Sequence, residues 1–229
     1  MDFILSEKRK DVLVLIDRFG VITNHQLEKF LDYMGVNTIR RARKQLLELG
    51  FIDERVFGRR KVCAITKKGS EYVGKIMTAA NNSYSNLQHD LSVNEVVFKL
   101  VNDYKNKGQI ISFTTEREIT REAFLSLSYQ EINKPNKLRH LKNEVPDFVL
   151  LLNDTNRLAF EVELNAKSNK RIERKMKQYK ESVANDVYSK VFYICKDEGI
   201  KRHVELFAKG IGIDIKFLML NQLMDSEEV

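Results

Sequence analysis

The stretch VPDFVLLLNDTNRLAFEVELNAK, residues 145–167, decides how the larger part of the chain folds. Its two apolar runs, 145–152 and 157–164, are separated by the polar turn 153–156, and this pattern predicts two successive strands. Near-continuous apolar runs of this kind are typical of buried strands. The acidic side chains within them are therefore unusual, because a buried carboxylate without a partner is costly.

Three acidic residues define a candidate site in these strands. Asp147 stands at the start of the first strand, and Glu161 and Glu163 share one face of the second, since side chains alternate with period two. If the strands form a hairpin, Asp147 lies opposite the end of the second strand, and the three carboxylates come together. A hard divalent cation, Mg²⁺ or Mn²⁺, would neutralise them, polarise a phosphodiester and generate hydroxide, while Lys167 steadies the developing charge. The alternative is a strand-capping Asp147 with two ordinary surface glutamates.

The segments around this stretch alternate between helix and strand patterns. In chain order they are a helix at 87–105, a strand at 110–115, a polar loop at 120–143, the two strands, a helix at 168–184, a strand at 187–195, a helix at 197–209, a strand at 213–218 and a short terminal helix. This order predicts an α/β sandwich around a mixed sheet.

The helix after the acidic motif is strongly basic. Its cations, with the lysine that precedes it, are Lys167, Lys170, Arg171, Arg174, Lys175, Lys177 and Lys180. Lys170, Arg171 and Arg174 are candidates for holding a DNA backbone beside the acidic pocket. The alternative is a solvated helix face with ordinary charges.

The first third of the chain has the element order of a winged helix-turn-helix. The predicted elements are a helix at 6–18 ended by Gly20, a helix opened by the capping box Thr23–Gln26, a helix from Asn37 to Leu49, strands at 51–53, 55–57 and 62–65, and a helix from Thr66. Ile39, Ala42, Leu46 and Leu47 are predicted to point inward from the third helix. The overall fold class is therefore α+β.

The net charge of +7 is concentrated in this first third. Residues 1–76 hold 16 basic and 10 acidic side chains, whereas residues 77–229 hold 23 and 22. A local basic excess is the electrostatic footprint of polyanion binding. The candidate DNA-binding residues are Arg40, Arg41, Arg43 and Lys44 on the exposed face of the third helix, and Arg59, Arg60 and Lys61 at the hairpin tip. The alternative is a protein–protein module with a charged face.

Composition and motifs exclude several other classes of protein. A hydrophobic content of 43% excludes a disordered chain, and no apolar run approaches the length of a membrane segment. Cys63 and Cys195 are isolated in apolar stretches, which favours buried thiols and a cytoplasmic location. No phosphate-binding loop or dinucleotide motif is present. The small polar stretch 78–85 predicts a junction between domains at 1–78 and 86–229.

The motif Pro146-Asp147 … Glu161-Val-Glu163 resembles the PD-(D/E)-x-K signature of restriction-endonuclease-like nucleases. In that signature the lysine lies two residues after the acid, where this chain has Glu163, and Lys167 is displaced toward the helix. The displaced form behind a winged helix is similar to the MOBC relaxases of conjugative and mobilizable plasmids and to the broader replication-relaxation family. The stretches 87–94 and 116–118 also resemble segments of that family.

This resemblance implies a restriction-endonuclease-like second domain with Asp147, Glu161, Glu163 and Lys167 as metal-binding and catalytic residues. It implies nicking of one DNA strand at the origin of transfer of a plasmid or mobile element, for conjugative mobilization. The implied partners are double- and single-stranded DNA and other relaxosome or coupling proteins. Glu163 at the usual lysine position leaves an alternative open: a non-catalytic DNA-binding accessory protein or regulator with an idle nuclease fold. A third hypothesis is a restriction-type or transposon-end nuclease that cuts both strands.

Overall fold

The computed structural model describes residues 4–74, 84–109, 111–128, 130, 137–153 and 155–225. The chain divides into two compact units, residues 1–98 and 99–229, and each is built around its own β-sheet. The junction predicted at 78–85 lies almost entirely outside the described residues, so it stays a prediction.

The first unit has the order and pairing of a winged helix. Its elements are α1 (Glu7–Phe19), β1 (Val21–Thr23), α2 (Asn24–Phe30), α3 (Val36–Glu48), β2 (Ile52–Phe57), β3 (Arg60–Ile65), α4 (Lys67–Tyr72) and the start of α5 (Tyr84–Asn106). The sheet order is β1-β3-β2 with antiparallel pairing throughout, so β2 and β3 form the predicted hairpin. The mixed α/β architecture that the sequence predicts is confirmed.

Local signals in the sequence determine where these helices begin and end. Gly20, at φ 76°, ends α1, because a glycine adopts this backbone conformation without steric cost. The predicted capping box is present: the Gln26 N–H donates to Thr23 Oγ1 at 3.1 Å, and the Thr23 N–H donates to Gln26 Oε1 at 3.0 Å. Apolar side chains of α1 and α3, among them Leu13, Ile16 and Leu46, meet in the core of this unit.

Four details of the first unit differ from the sequence prediction. The strands predicted at 51–53 and 55–57 are one strand, β2, and the three-residue strand β1 was not predicted because it is formed by distant pairing with β3. Helix α3 starts at Val36, one residue before the predicted start at Asn37, and Gly35 is its N-cap. Leu47, predicted to point inward, is 42% exposed because it lies beside the buried stripe of α3.

The beginning of α5 packs within the first unit. Leu87 and Leu91 join a small apolar cluster with Val21 and residues of β3. The amide of Asn94 donates to the carbonyl oxygen of Val21 at 2.8 Å, which satisfies a buried acceptor of the short strand β1. This helical segment therefore completes the winged-helix unit.

The second unit contains a five-stranded mixed sheet. Its elements after α5 are β4 (Ile111–Thr115), α6 (Glu116–Leu125), α7 (Lys137–Glu144), β5 (Phe148–Leu152), β6 (Asn156–Glu163), α8 (Asn169–Ala184), β7 (Lys190–Cys195), α9 (Glu198–Ile211), β8 (Ile215–Met219) and α10 (Leu220–Asp225). The strand order is β4-β5-β6-β7-β8; the first three strands are antiparallel and the last three are parallel. Strand β6 is therefore the centre of the sheet.

The two faces of β6 are chemically different. On one face Phe148, Phe160 and Phe192 stack across three neighbouring strands, with ring centroids 4.7 and 4.8 Å apart. Ala159 lies on the other face, in a core cluster with side chains of α8 such as Met176. Alternation along the strand places the acidic residues of β6 on this second face, beneath α8.

The polar segment 120–143, predicted as a loop, is largely helical where it is described. Helix α6 extends to Leu125 from a capping box in which Thr115 and Glu118 exchange hydrogen bonds, and α7 follows at 137–144. The prediction was wrong because both segments are mostly polar in sequence, and in α6 only Thr120 is buried; Pro135 lies outside the described residues. Among the helices that the structure describes, none is long and apolar enough to cross a membrane.

Candidate functional site

Strand β6 delivers two carboxylates to the interior of the second unit. Glu161 is 2% exposed and Glu163 is 4% exposed, and both side chains lie on the face that α8 covers. The predicted shared face is therefore observed, and the alternative of ordinary surface glutamates is contradicted. An ionised carboxylate in such a position requires partners, because desolvation disfavours its charge.

Asp147 lies opposite the end of β6, as the hairpin hypothesis requires. Its N–H donates to the carbonyl oxygen of Phe160 at 3.0 Å, and its Oδ2 accepts a hydrogen bond from the N–H of Val162 at 2.7 Å. These two bonds extend the β5–β6 pairing by one residue and hold the carboxylate beside the segment that carries Glu161 and Glu163.

Glu161 is neutralised by side chains from α8 and from the loop before it. The Lys175 ammonium lies 2.8 Å from its Oε1, the Tyr179 hydroxyl donates to the same oxygen, and the Lys167 ammonium lies 3.7 Å from Oε2. Lys175 also donates to the carbonyl oxygen of Val145 at 2.6 Å. One side chain thus connects β6 to the segment that leads into Asp147.

Glu163 forms an ion pair with Lys167, the lysine that the sequence assigned to the site. Burial, reinforced by the charges of Glu161 and Asp147 and opposed by Lys167, raises the pKa of Glu163 from 4.5 to about 7. Burial alone would lower the pKa of Lys167, but the three carboxylates outweigh it and raise that pKa. A carboxyl group that titrates near neutrality beside a permanent ammonium can exchange a proton at physiological pH.

Lys175 and Tyr179 are the members of this cluster that sequence reasoning did not assign to the site. Burial first, and then the charge of Glu161, raises the pKa of Tyr179 well above its ordinary value, so its hydroxyl remains a neutral donor. The signal was present in the four-residue spacing, which puts both side chains on one face of α8, next to the buried stripe with Met176.

The described residues contain no group of three His, Cys, Asp or Glu side chains placed to hold a metal ion. Asp147, Glu161, Glu163 and Lys167 share one neighbourhood, as predicted, but their arrangement is that of an ion-pair network. The positive charge among the carboxylates comes from Lys167 and Lys175. Hard oxygen donors are present, yet their present geometry does not fit a divalent cation.

The first unit exposes part of the predicted DNA-binding set. Arg40, Arg41 and Lys44 lie on the solvent side of α3. Arg43 does not: it is 8% exposed, its guanidinium pairs with Glu54, and its Nε donates to the Sγ of Cys63 at 3.0 Å. The prediction for Arg43 was wrong because this side of α3 faces the hairpin, where Arg43 joins helix to sheet.

The hairpin tip is exposed, as predicted. Arg59 and Arg60 face solvent, whereas Lys61, also largely exposed, forms an ion pair with Glu54 at 2.7 Å. Burial raises the pKa of the Cys63 thiol, although Arg43 opposes the effect, so the thiol stays protonated. Both cysteines are free and buried, as the sequence predicts.

The basic face of α8 is also open to solvent. Lys170, Arg171 and Arg174 line a shallow groove of about 500 Å³ that begins at Ser168. Their exposure allows contact with a polyanion, which is the role that the sequence predicted for them.

Comparison with known proteins identifies the family. A sequence model of the Replication-relaxation family matches residues 13–192, which covers most of both units and includes the whole carboxylate cluster. No curated protein matched the chain. Since the match extends over well more than half of the sequence, the chain belongs to the Replication-relaxation family.

Proposed function

We propose that the protein is a DNA endonuclease of the relaxase type, which nicks one strand at the origin of transfer of a plasmid or mobile element. The observation that carries this proposal is the pair of buried carboxylates, Glu161 and Glu163, on the central strand beside Lys167 and Asp147. Membership of the Replication-relaxation family supports a role in DNA replication or relaxation. The resemblance to MOBC relaxases supplies the finer activity.

The burial of these acids supports a functional site over a structural one. Removing two charges from water costs several kcal/mol per ion, and well-packed apolar side chains would often be as stable in the same place. Neighbouring positions on β6 and β5 are apolar, so the strands themselves do not require carboxylates. The second unit has the order helix–strand–helix–helix–strand–strand–helix–strand; apart from the two helices α6 and α7 between β4 and β5, this order is compatible with the restriction-endonuclease-like fold that the resemblance implies.

The residues of this chain offer two chemical functions for phosphodiester cleavage. Lys167, which is partly exposed, presents a positive charge at the edge of the cluster, where it can stabilise charge on a scissile phosphate. Glu163 can take up the proton of an attacking hydroxyl group, since its pKa lies near neutrality. Asp147 and Glu161 hold these two groups in place.

We expect nicking to depend on Mg²⁺ or Mn²⁺, as the resemblance implies. The oxygen donors are of the right chemical type. The described arrangement, however, does not gather three of them around one point, and ammonium groups occupy the positions beside the carboxylates. We therefore derive no step through the ion, and its requirement is decided by experiment.

The test is conversion of supercoiled plasmid carrying the element's own origin of transfer to open circles, with Mg²⁺, with Mn²⁺ and with chelator. Glu163→Gln and Lys167→Ala should each lower the rate at least 100-fold, because each removes one of the two chemical functions. Glu205→Gln is the matched control; Glu205 is a partly exposed acid on α9 that pairs with Lys209. Undiminished nicking by both site variants would refute the assignment.

A second candidate function is that of a DNA-binding accessory protein or replication regulator with an idle nuclease fold. The ion pairs favour it: Lys175 and Lys167 already neutralise Glu161, and Lys167 pairs with Glu163. Calorimetric titration with Mn²⁺ separates the two functions. Duplex binding without Mn²⁺ binding and without nicking would establish the accessory role.

A further inference from the structure

A polar groove runs between the start of α1 and the length of α3, within the first unit. It has a volume of about 380 Å³. Its lining includes Lys8 and Arg9 of α1 and Arg41, Lys44, Gln45 and Glu48 of α3. The prediction from sequence placed the basic surface on α3 and the hairpin alone, so the contribution of α1 is new.

The chemistry of the groove favours an anionic ligand. Four cationic side chains line it, against the single carboxylate of Glu48, and they come from two adjacent helices. Lys8 and Arg9 follow Glu7 in the first turn of α1, where the positive end of the helix dipole adds to the attraction for an anion. The groove is open to solvent and lined mainly by charged and polar residues, as expected for a surface that binds a charged backbone.

The groove is continuous with the predicted DNA-reading surface. Arg41 and Lys44 line the groove and also lie on the solvent side of α3, next to Arg40. If α3 enters the major groove, the adjoining strand of the duplex must pass along one side of this helix. Phosphate groups follow one another at regular spacing along that strand, which matches a row of cations better than it matches a single small anion.

We propose that this groove binds the sugar–phosphate backbone of duplex DNA, with Lys8 and Arg9 as phosphate-contacting residues. The inference rests on the DNA-binding part of the proposed function and not on strand cleavage. Contacts of this kind position the protein on the duplex and carry no sequence information. Lys8 and Arg9 should therefore strengthen binding to any duplex.

The test measures the affinity for a fluorescent 30-base-pair duplex of arbitrary sequence by anisotropy, between 50 and 300 mM salt. Lys8→Ala and Arg9→Ala should each weaken binding about 5- to 10-fold at 0.1 M salt and reduce the slope of log K against log salt by about 0.9, since each contact releases one counterion. Lys10→Ala is the matched control, because Lys10 is an exposed cation of the same helical turn outside the groove lining. Its effect should stay below about twofold.

The outcomes separate this inference from the proposed endonuclease. Equal, small effects of Lys8→Ala, Arg9→Ala and Lys10→Ala would overturn the groove assignment whether or not the protein nicks DNA. If Lys8→Ala and Arg9→Ala weaken duplex binding more than Lys10→Ala does, and the protein does not nick DNA, the result would support DNA binding by the groove and count against the proposed endonuclease. Binding of polyglutamate in preference to the duplex, with the same dependence on Lys8 and Arg9, would overturn the proposal in favour of an acidic peptide.

Discussion

Glu163 should make the second unit less stable as the pH rises through neutrality. Its carboxyl group has a pKa of 4.5 when unfolded and about 7 in the folded protein, chiefly because of burial. Between these values the folded chain keeps a proton that the unfolded chain has released. The stability that this proton confers is present at low pH and is lost as the pH rises through the folded pKa.

The magnitude follows from the size of the shift. The pKa rises by roughly 2.5 units, and each unit corresponds to about 1.4 kcal/mol; part of the loss has occurred by pH 5, so Glu163 should cost about 2–3 kcal/mol at pH 8 relative to pH 5. Lys167 adds nothing to this slope. Its pKa is raised, and such a group stabilises the fold at every pH below the ordinary lysine value, which lies above this range.

Glu163→Gln isolates the effect, since glutamine has nearly the same shape and does not titrate. Urea unfolding of wild type and variant at pH 5, 6, 7 and 8 gives their difference in free energy at each pH. The variant should gain about 2–3 kcal/mol on wild type between pH 5 and pH 8. Glu205→Gln should show no such trend, because its hydrogen bond and ion pair with Lys209 lower the pKa of Glu205 and keep it ionised throughout. A gain below about 1 kcal/mol would refute the reasoning.

Three further predictions test other parts of the structure. Lys175→Met should cost about 3–5 kcal/mol in urea unfolding, because it leaves a buried carboxylate and a carbonyl oxygen without their ammonium donor, whereas Lys175→Arg should cost less. Gly69→Ala should cost about 1–3 kcal/mol, since a Cβ there would collide with the backbone carbonyl oxygen of Phe51; thermal unfolding measures this loss. Arg43→Met should lower stability by about 1–3 kcal/mol and leave the salt dependence of DNA affinity unchanged. Arg40→Ala should leave stability unchanged and reduce the salt dependence of DNA affinity.

Local sequence signals were sufficient for most of the winged helix. Glycine at the end of α1, the capping box at Thr23 and the alternation in the hairpin each act within a few residues of the structure they specify. Strand β1 was missed because its three residues have no local pattern and depend on pairing with Val62–Ala64, some forty residues away. Arg43 was wrongly predicted to be exposed for a related reason. In a helical projection it lies close to the exposed residues Arg40 and Lys44, so helical periodicity alone does not show that it faces the hairpin.

Burial of the site was predictable, and its neutralisation was not. Period two placed Glu161 and Glu163 together, and hairpin pairing brought Asp147 opposite them, so a sequence argument reached three acids in one place. From the sequence alone a metal ion was expected to supply the missing positive charge, because the sequence does not show how α8 lies on β6. The packing of that helix brings Lys175 onto Glu161.

The two lysines of the ion-pair network have different partners. Lys167 contacts both buried glutamates, whereas Lys175 contacts Glu161 and two backbone carbonyl oxygens of the segment before β5. The two lysines are therefore not equivalent. Lys167 lies on the loop before α8 and contacts the two glutamates, whereas Lys175 lies within α8 and is fixed by its backbone partners. Replacing Lys175 should therefore disturb the packing of α8 on β6 more than replacing Lys167.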